Sequence, residues 1–237
     1  MLSRDTVLRG RVLAIGGSDS CGGAGIQADV KTIMALGGYA MTAVTAVTVQ
    51  DTTGITATHE IPASMVAQQM DVVIKDIGVD AIKTGMLGGA ASVRAIAKVL
   101  EEQAVPVPLI VDPVMASSSG TVFLDQHAIK VLKDALCLRA TILTPNIPEA
   151  EYLVGFAIRD LDEMKRAAEF LMTLGPEAVL VKGGHMPGGT IEDVLLTADG
   201  FDVMMARRID SRHTHGTGCT LASAIAVSLG LGLSIPD

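Results

Sequence analysis

The sequence predicts an α/β fold in which a mainly parallel central sheet carries helices on both faces, with one small β-hairpin. Three observations predict it. Short apolar runs bounded by Gly or Pro alternate with longer segments of helical period, as expected when crossover helices join parallel strands. The residues are 49% hydrophobic but only 3% aromatic, which suits strands of Ala, Val, Ile, Leu and Met buried on both faces. Polar or glycine-rich turns follow the strand candidates, on the edge where open α/β sheets bind ligands.

The first strand candidate, Val12–Ile15, runs into Gly16-Gly17-Ser18-Asp19, and a helix is expected over Gly25–Leu36. Ala40–Val49 is the next strand and Ser64–Ile77 the next helix. Ala81–Lys83 leads into Thr84-Gly85-Met86 and a helix at Ala91–Glu102; Leu109–Val111 leads into Asp112-Pro113-Val114 and a helix at Gln126–Leu136. Thr141–Leu143 precedes Thr144-Pro145-Asn146 and helices at Glu149–Val154 and Leu161–Leu174. Val179–Val181 precedes Lys182-Gly183-Gly184-His185. Ile191–Leu196 and Phe201–Ala206, joined through Asp199-Gly200, read as a hairpin. Turn geometry explains the glycines in these segments; it explains Asp112, Asn146 and Lys182 together less readily.

A length of 237 residues suits one α/β domain, and no repeat or linker divides residues 1–237. The net charge of −8 argues against nucleic acid or an anionic membrane as partner. Three cysteines without tight spacing fit neither a disulfide framework nor a zinc site, so a reducing cytoplasm is expected and Cys21 and Cys137 read as plain thiols. Arg4, Asp5, Arg9 and Arg11 interrupt the apolar residues that a signal peptide would need. Leu221–Ile235 is too short and too rich in Gly and Ser for a membrane span.

His215-Gly216-Thr217-Gly218-Cys219-Thr220-Leu221 is the most informative stretch, a glycine-rich turn running into an apolar helix. The opening amides of such a helix lack intrahelical partners and attract anions. Cys219 in that first turn is expected to have a thiol pKa below its free value. Alternatively, Gly216 or Thr217 simply caps the helix and Cys219 is a small buried hydrophobe.

The loop Gly16–Gly25 is neither a dinucleotide fingerprint nor a Walker A loop. Asp29 beyond it would accept hydrogen bonds from a ligand, or complement the helix dipole. Asn146 and Glu149 have the spacing of a capping box, the reading favoured on local grounds; alternatively they supply oxygen donors for Mg²⁺, with Asp112 before Pro113 either a second carboxylate for that metal or a turn former. Lys182 is either a phosphate-neutralising cation or a solvated strand-end lysine. His213 and His215 share a short turn with the thiol, and no acidic orienter for a Cys–His pair is apparent in sequence.

Taken together, the strings Gly22-Gly23-Ala24-Gly25-Ile26-Gln27-Ala28-Asp29, Gly85-Met86-Leu87, Asp112-Pro113-Val114-Met115, Asn146-Ile147-Pro148-Glu149, Lys182-Gly183-Gly184-His185 and Gly216-Thr217-Gly218-Cys219 resemble the bacterial hydroxymethylpyrimidine/phosphomethylpyrimidine kinases of thiamine biosynthesis, within the ribokinase-like superfamily. The resemblance is collinear over nearly the whole chain. It implies an ATP- and Mg²⁺-dependent homodimeric enzyme that phosphorylates 4-amino-5-hydroxymethyl-2-methylpyrimidine and then its monophosphate. It implies that Gly17, Asp29, Gln50, Met86 and Val114 line the pyrimidine pocket, with Gly216, Thr217 and Gly218 as anion hole and Cys219 as catalytic group. Lys182, Asn146 and Thr217 would face the nucleotide, and Asp112 and Glu149 the metal. Family members continue past the position of Asp237 with a further helix and glycine-rich tail, so a chain lacking that tail is expected. A pyridoxal kinase on the same scaffold, a cysteine hydrolase using Cys219 and a non-catalytic vitamin-binding protein are the rival readings.

Overall fold

A computed structural model describes residues 9–103, 106–116, 123–211 and 213–237. Arg4 and Asp5 of the sequence reading lie outside them. The strands are β1 (Arg11–Asp19), β2 (Tyr39–Gln50), β3 (Ile55–Glu60), β4 (Ala81–Thr84), β5 (Leu109–Val111), β6 (Ile142–Leu143), β7 (Ala178–Val181), β8 (Thr190–Thr197) and β9 (Gly200–Arg207). The helices are α1 (Gly25–Ala35), α2 (Ala63–Asp76), α3 (Ala90–Glu102), α4 (Gln126–Ala135), α5 (Ile147–Val154), α6 (Leu161–Met172) and α7 (Thr217–Gly230). The strands form one sheet in the order β3-β2-β1-β4-β5-β6-β7-β8-β9. Pairing is parallel from β2 through β7 and antiparallel at β2–β3, β7–β8 and β8–β9. The expected mainly parallel sheet and hairpin are therefore present.

Alternation along each strand divides the core between the two faces. Leu13, Ile15, Leu109, Val111, Val179 and Val181 pack with apolar residues of α2 through α6. Val12, Ala14, Ile110 and Leu180 point the other way, onto Ile33 of α1 and Ala222, Ala226 and Val227 of α7. Both faces are dry, so these strands read as unbroken apolar runs. Each large aliphatic side chain fully buried in this way contributes about 1.5–3 kcal/mol. No helix among the described residues is long and apolar enough to cross a membrane.

Two features depart from the expected elements. Gly16–Asp19 belongs to β1 rather than to a loop, with a shift of register against β2 between Gly16 and Gly17. The strand β3 was not expected, because its sequence Ile-Thr-Ala-Thr-His-Glu is largely polar and mostly exposed. Its turn is nevertheless well built: Asp51 Oδ1 accepts the Thr53 and Gly54 amides at 2.7 and 3.0 Å, an Asx-type closure.

Candidate active site

The carboxyl ends of β1, β4, β5, β6 and β7 bring together the β1–α1 loop, the β5 exit, the α5 start and the turn that opens α7. Gly216 is the N-cap of α7 at φ +82°, a left-handed conformation suited to glycine. A Cβ at this position would overlap the Gly23 carbonyl oxygen. No side chain among the described residues caps the helix. The Thr217 amide turns back to Thr214 O at 3.3 Å and the first helical bond runs from Thr220 N to Gly216 O at 2.9 Å, so the Gly218 and Cys219 amides remain outside the helix ladder.

Lys182 closes on this turn. Its Nζ lies 3.3 Å, and Asp112 Oδ2 3.8 Å, from where a Cβ on Gly218 would stand. The same Nζ donates to Asp112 Oδ1 at 2.9 Å, and Thr144 Oγ1 donates to that oxygen at 3.2 Å. Lys182 is largely buried (13% side-chain exposure), so the solvated strand-end reading does not describe it. Burial would lower its pKa, but Asp112 and Glu149 raise it, keeping the ammonium charged.

Asn146 and Glu149 form the capping box: Asn146 Oδ1 accepts the Glu149 amide and Glu149 Oε2 accepts the Asn146 amide, each at 2.9 Å. Glu149 is also buried beside Asp112. Burial and the Asp112 charge push its carboxyl up to about 8, against the pull of Lys182. Two crowded carboxylates with oxygen donors suit a hard divalent cation, which would relieve their repulsion. Asp112 and Glu149 thus fit Mg²⁺ in donor chemistry.

Asp29 is fully buried on α1 rather than facing an open crevice. Its Oδ1 accepts from Lys83 Nζ and from Ser223 Oγ, both at 2.8 Å, while Oδ2 has no partner among the described residues. Burial lifts the Asp29 carboxyl above its ordinary range, opposed by Lys83 and Ser223. Burial alone would lower the Lys83 pKa, but Asp29, with Cys219 and Asp112 beyond it, raises it. Cys219 lies one helical turn before Ser223 on α7. The expected depression of its thiol pKa is corrected: burial pushes it up, and the pull of Lys83 does not overcome that. A helix N-terminus favours thiolate only where desolvation does not outweigh it.

On the β1–α1 side, Gly17 approaches Met86 so closely that a Cβ would lie 2.9 Å from its Sδ. Thr45 Oγ1 fixes Met86 by donating to its carbonyl at 2.6 Å. The Gln50 backbone is bound through Ser20 Oγ at 2.7 and 2.8 Å, and its Nε2 lies 3.3 Å from His215 Nε2. Val114 is half-buried, its amide donating to Asp112 O at 2.8 Å.

In sequence, Asp19 and Thr144 stand only as members of ligand-edge turns, without a role of their own, and Lys83 and Ser223 do not stand out as site residues at all. Lys83 carries a usable signal, a charged residue inside the short apolar run Ala-Ile-Lys-Thr that is buried throughout. Asp19 supplies the acidic neighbour of His215 that was not apparent, at 2.9 Å from Nε2, although it is far away in sequence.

A sequence model described as phosphomethylpyrimidine kinase matches residues 19–237. A thiamine biosynthesis bifunctional protein from Geobacter sulfurreducens is 48% identical over 94% of this chain, which spans 46% of that protein. A hydroxymethylpyrimidine/phosphomethylpyrimidine kinase from Streptomyces coelicolor is 44% identical over 95% of this chain and 82% of its own. Among solved structures, phosphomethylpyrimidine kinase from Clostridium difficile superposes with a TM-score of 0.84 at 41% identity, covering 95% of this chain and 93% of its own. Pyridoxal kinase from Staphylococcus aureus in complex with AMP-PCP and pyridoxal gives 0.85 at 32% identity, covering 94% and 81%. With its carboxyl-edge site and these likenesses across nearly its whole length, the chain belongs to the phosphomethylpyrimidine kinase family.

Proposed function

We propose that residues 1–237 form one kinase domain that uses ATP to phosphorylate the hydroxymethyl group of 4-amino-5-hydroxymethyl-2-methylpyrimidine and then the resulting monophosphate, as a homodimer in the cytoplasm. One observation carries the reading. The Lys182 ammonium, itself held by Asp112, stands 3.3 Å from the Cβ position of Gly218, on the turn whose Gly218 and Cys219 amides are outside the helix ladder, which supports an anion site made of backbone dipoles and one placed cation. A transferring phosphoryl group spreads its charge over oxygens that such donors stabilise. Gly216 sets the turn, Thr217 and Gly218 complete it, and Asn146 and Lys182 face the nucleotide. Asp112 and Glu149 would hold Mg²⁺, which supplies charge neutralisation of the phosphates when bound.

Gly17, Gln50, Met86 and Val114 would receive the pyrimidine, with Asp29 acting from beneath through its uncommitted Oδ2. Cys219, a neutral thiol at rest, would first release its own proton to solvent and then, as thiolate, take the hydroxyl proton while the hydroxyl oxygen bonds to the transferring phosphorus. The likeness to a pyridoxal kinase favours one second reading, pyridoxal as the substrate. Coupled ADP release with the pyrimidine alcohol, its monophosphate and pyridoxal, each with and without Mg²⁺, tests both. Mg²⁺-dependent release with the two pyrimidines is expected; turnover of pyridoxal alone would transfer the assignment, and release with none would reject both.

A further inference from the structure

Asp19, Cys21 and His215 meet at one carboxylate oxygen. Asp19 Oδ2 lies 2.9 Å from His215 Nε2 and accepts from Cys21 Sγ at 3.3 Å. A thiol sulfur, an imidazole nitrogen and a carboxylate oxygen thus all lie within 4.8 Å of one another. The carboxylate is fixed: its Oδ1 accepts the Cys21 amide at 2.9 Å, and Oδ2 the Gly23 and Ala24 amides at 3.0 and 2.7 Å. Burial would raise the Asp19 pKa, but the bonds from His215, Ala24 and Cys21 hold it below the usual range, so the group is a carboxylate. Asp19 is buried, His215 partly so, and Cys21 exposed, which leaves one side open to solvent.

We propose that Asp19, Cys21 and His215 form a binding site for a thiophilic divalent cation, Zn²⁺ by its donor set, separate from the carboxylates assigned to Mg²⁺. Zinc bonds of about 2.0–2.3 Å to oxygen, nitrogen and sulfur set tetrahedral ligand separations of roughly 3.2–3.7 Å. The two separations to Asp19 Oδ2, 2.9 and 3.3 Å, need to open by only a few tenths of an ångström, and Cys21 Sγ and His215 Nε2, within 4.8 Å of each other, settle into the same range. The cation replaces the two side-chain protons now directed at Asp19 Oδ2, those of His215 and Cys21. The Cys21 thiol releases its proton to solvent, and the His215 proton moves to Nδ1, freeing Nε2 to ligate. One carboxylate and one thiolate then balance a dication, and water takes the open fourth position. Mg²⁺ does not compete well, because it prefers oxygen ligands in octahedral array.

The site joins two segments that meet at the candidate active site. Cys21 belongs to the β1–α1 loop, and His215 immediately precedes Gly216. The loops already touch, since a Cβ on Gly23 would lie 2.7 Å from His215 Cδ2. A cation here ties them together and draws His215 away from Gln50. Resting on the kinase reading, this part of the proposal expects inhibition by Zn²⁺ at saturating Mg²⁺ and ATP.

Titration with Co²⁺ reads binding without reference to activity, through thiolate-to-cobalt charge-transfer absorption. The wild-type chain should saturate at one equivalent, and Zn²⁺ should displace the band. Cys21→Ser should abolish it, His215→Asn should weaken binding at least tenfold, and Cys219→Ala should leave it intact. Absence of a saturable band, or its persistence in Cys21→Ser, overturns the site. In the phosphorylation assay, Cys21→Ser should need at least tenfold more Zn²⁺ for half inhibition; equal sensitivity overturns the regulatory consequence. A saturating Co²⁺ band in a protein inactive towards every pyrimidine would uphold the site while rejecting the kinase reading.

Discussion

Replacing Lys83 by Met removes one partner of a fully buried ion pair, Lys83 Nζ to Asp29 Oδ1 at 2.8 Å with side-chain exposures of 1% and 0%. Met fills a similar volume, so the dominant consequence is a carboxylate left in the interior with Ser223 Oγ as its remaining donor. Breaking a buried pair from one side costs about 3–5 kcal/mol. With a urea m-value of about 3 kcal/mol/M, the unfolding midpoint should fall by about 1–1.7 M. The loss should be greatest at neutral pH and shrink as pH falls, because protonating Asp29 removes the bare charge. Urea melts of wild type, Lys83→Met and Lys83→Met/Asp29→Asn decide it. The double variant retains an acceptor for Ser223 without a charge, and should regain at least half of the loss. A Lys83→Met midpoint within about 0.2 M of wild type, or a double variant no better than the single, would show that the pair does not act as argued.

Gly216→Ala should lose phosphorylation by at least tenfold and lower stability measurably by thermal melt, because the left-handed φ and overlap with the Gly23 carbonyl both resist a side chain. Burial and the Asp112 charge push the folded Glu149 carboxyl up to about 8, from an ordinary value of about 4.5. The native state therefore holds the proton longer, and stability should fall as pH rises from about 4.5 to 8 and level off above, with Glu149→Gln flattening that slope in urea melts across pH. Cys219→Ala should lower turnover by about 10²- to 10⁴-fold with pyrimidine binding largely kept, as steady-state kinetics and calorimetry would show; unchanged turnover removes the thiol from the mechanism.

The sheet was legible where physics leaves a periodic trace. Strands β1, β4, β5 and β7 are buried on both faces and announce themselves as apolar runs, while β3 is an exposed polar edge strand held by pairing to β2. The Asn146–Glu149 box was legible because both of its reciprocal bonds are local. The state of Cys219 was not, because it depends on burial and on the charges of Lys83, Asp29 and Asp112, which come from other parts of the chain. The pairing of His215 with Asp19 spans 196 positions, so neither residue's neighbours reveal it.

Gly23 and Gly216 are pressed backbone to backbone from opposite ends of the chain. Whatever repositions the Gly216 turn must push on the β1–α1 loop as well. Transplanting either loop alone from a relative would import a surface shaped for an absent counterpart, so swaps of substrate preference should succeed only when residues 19–25 and 213–218 travel as a matched set.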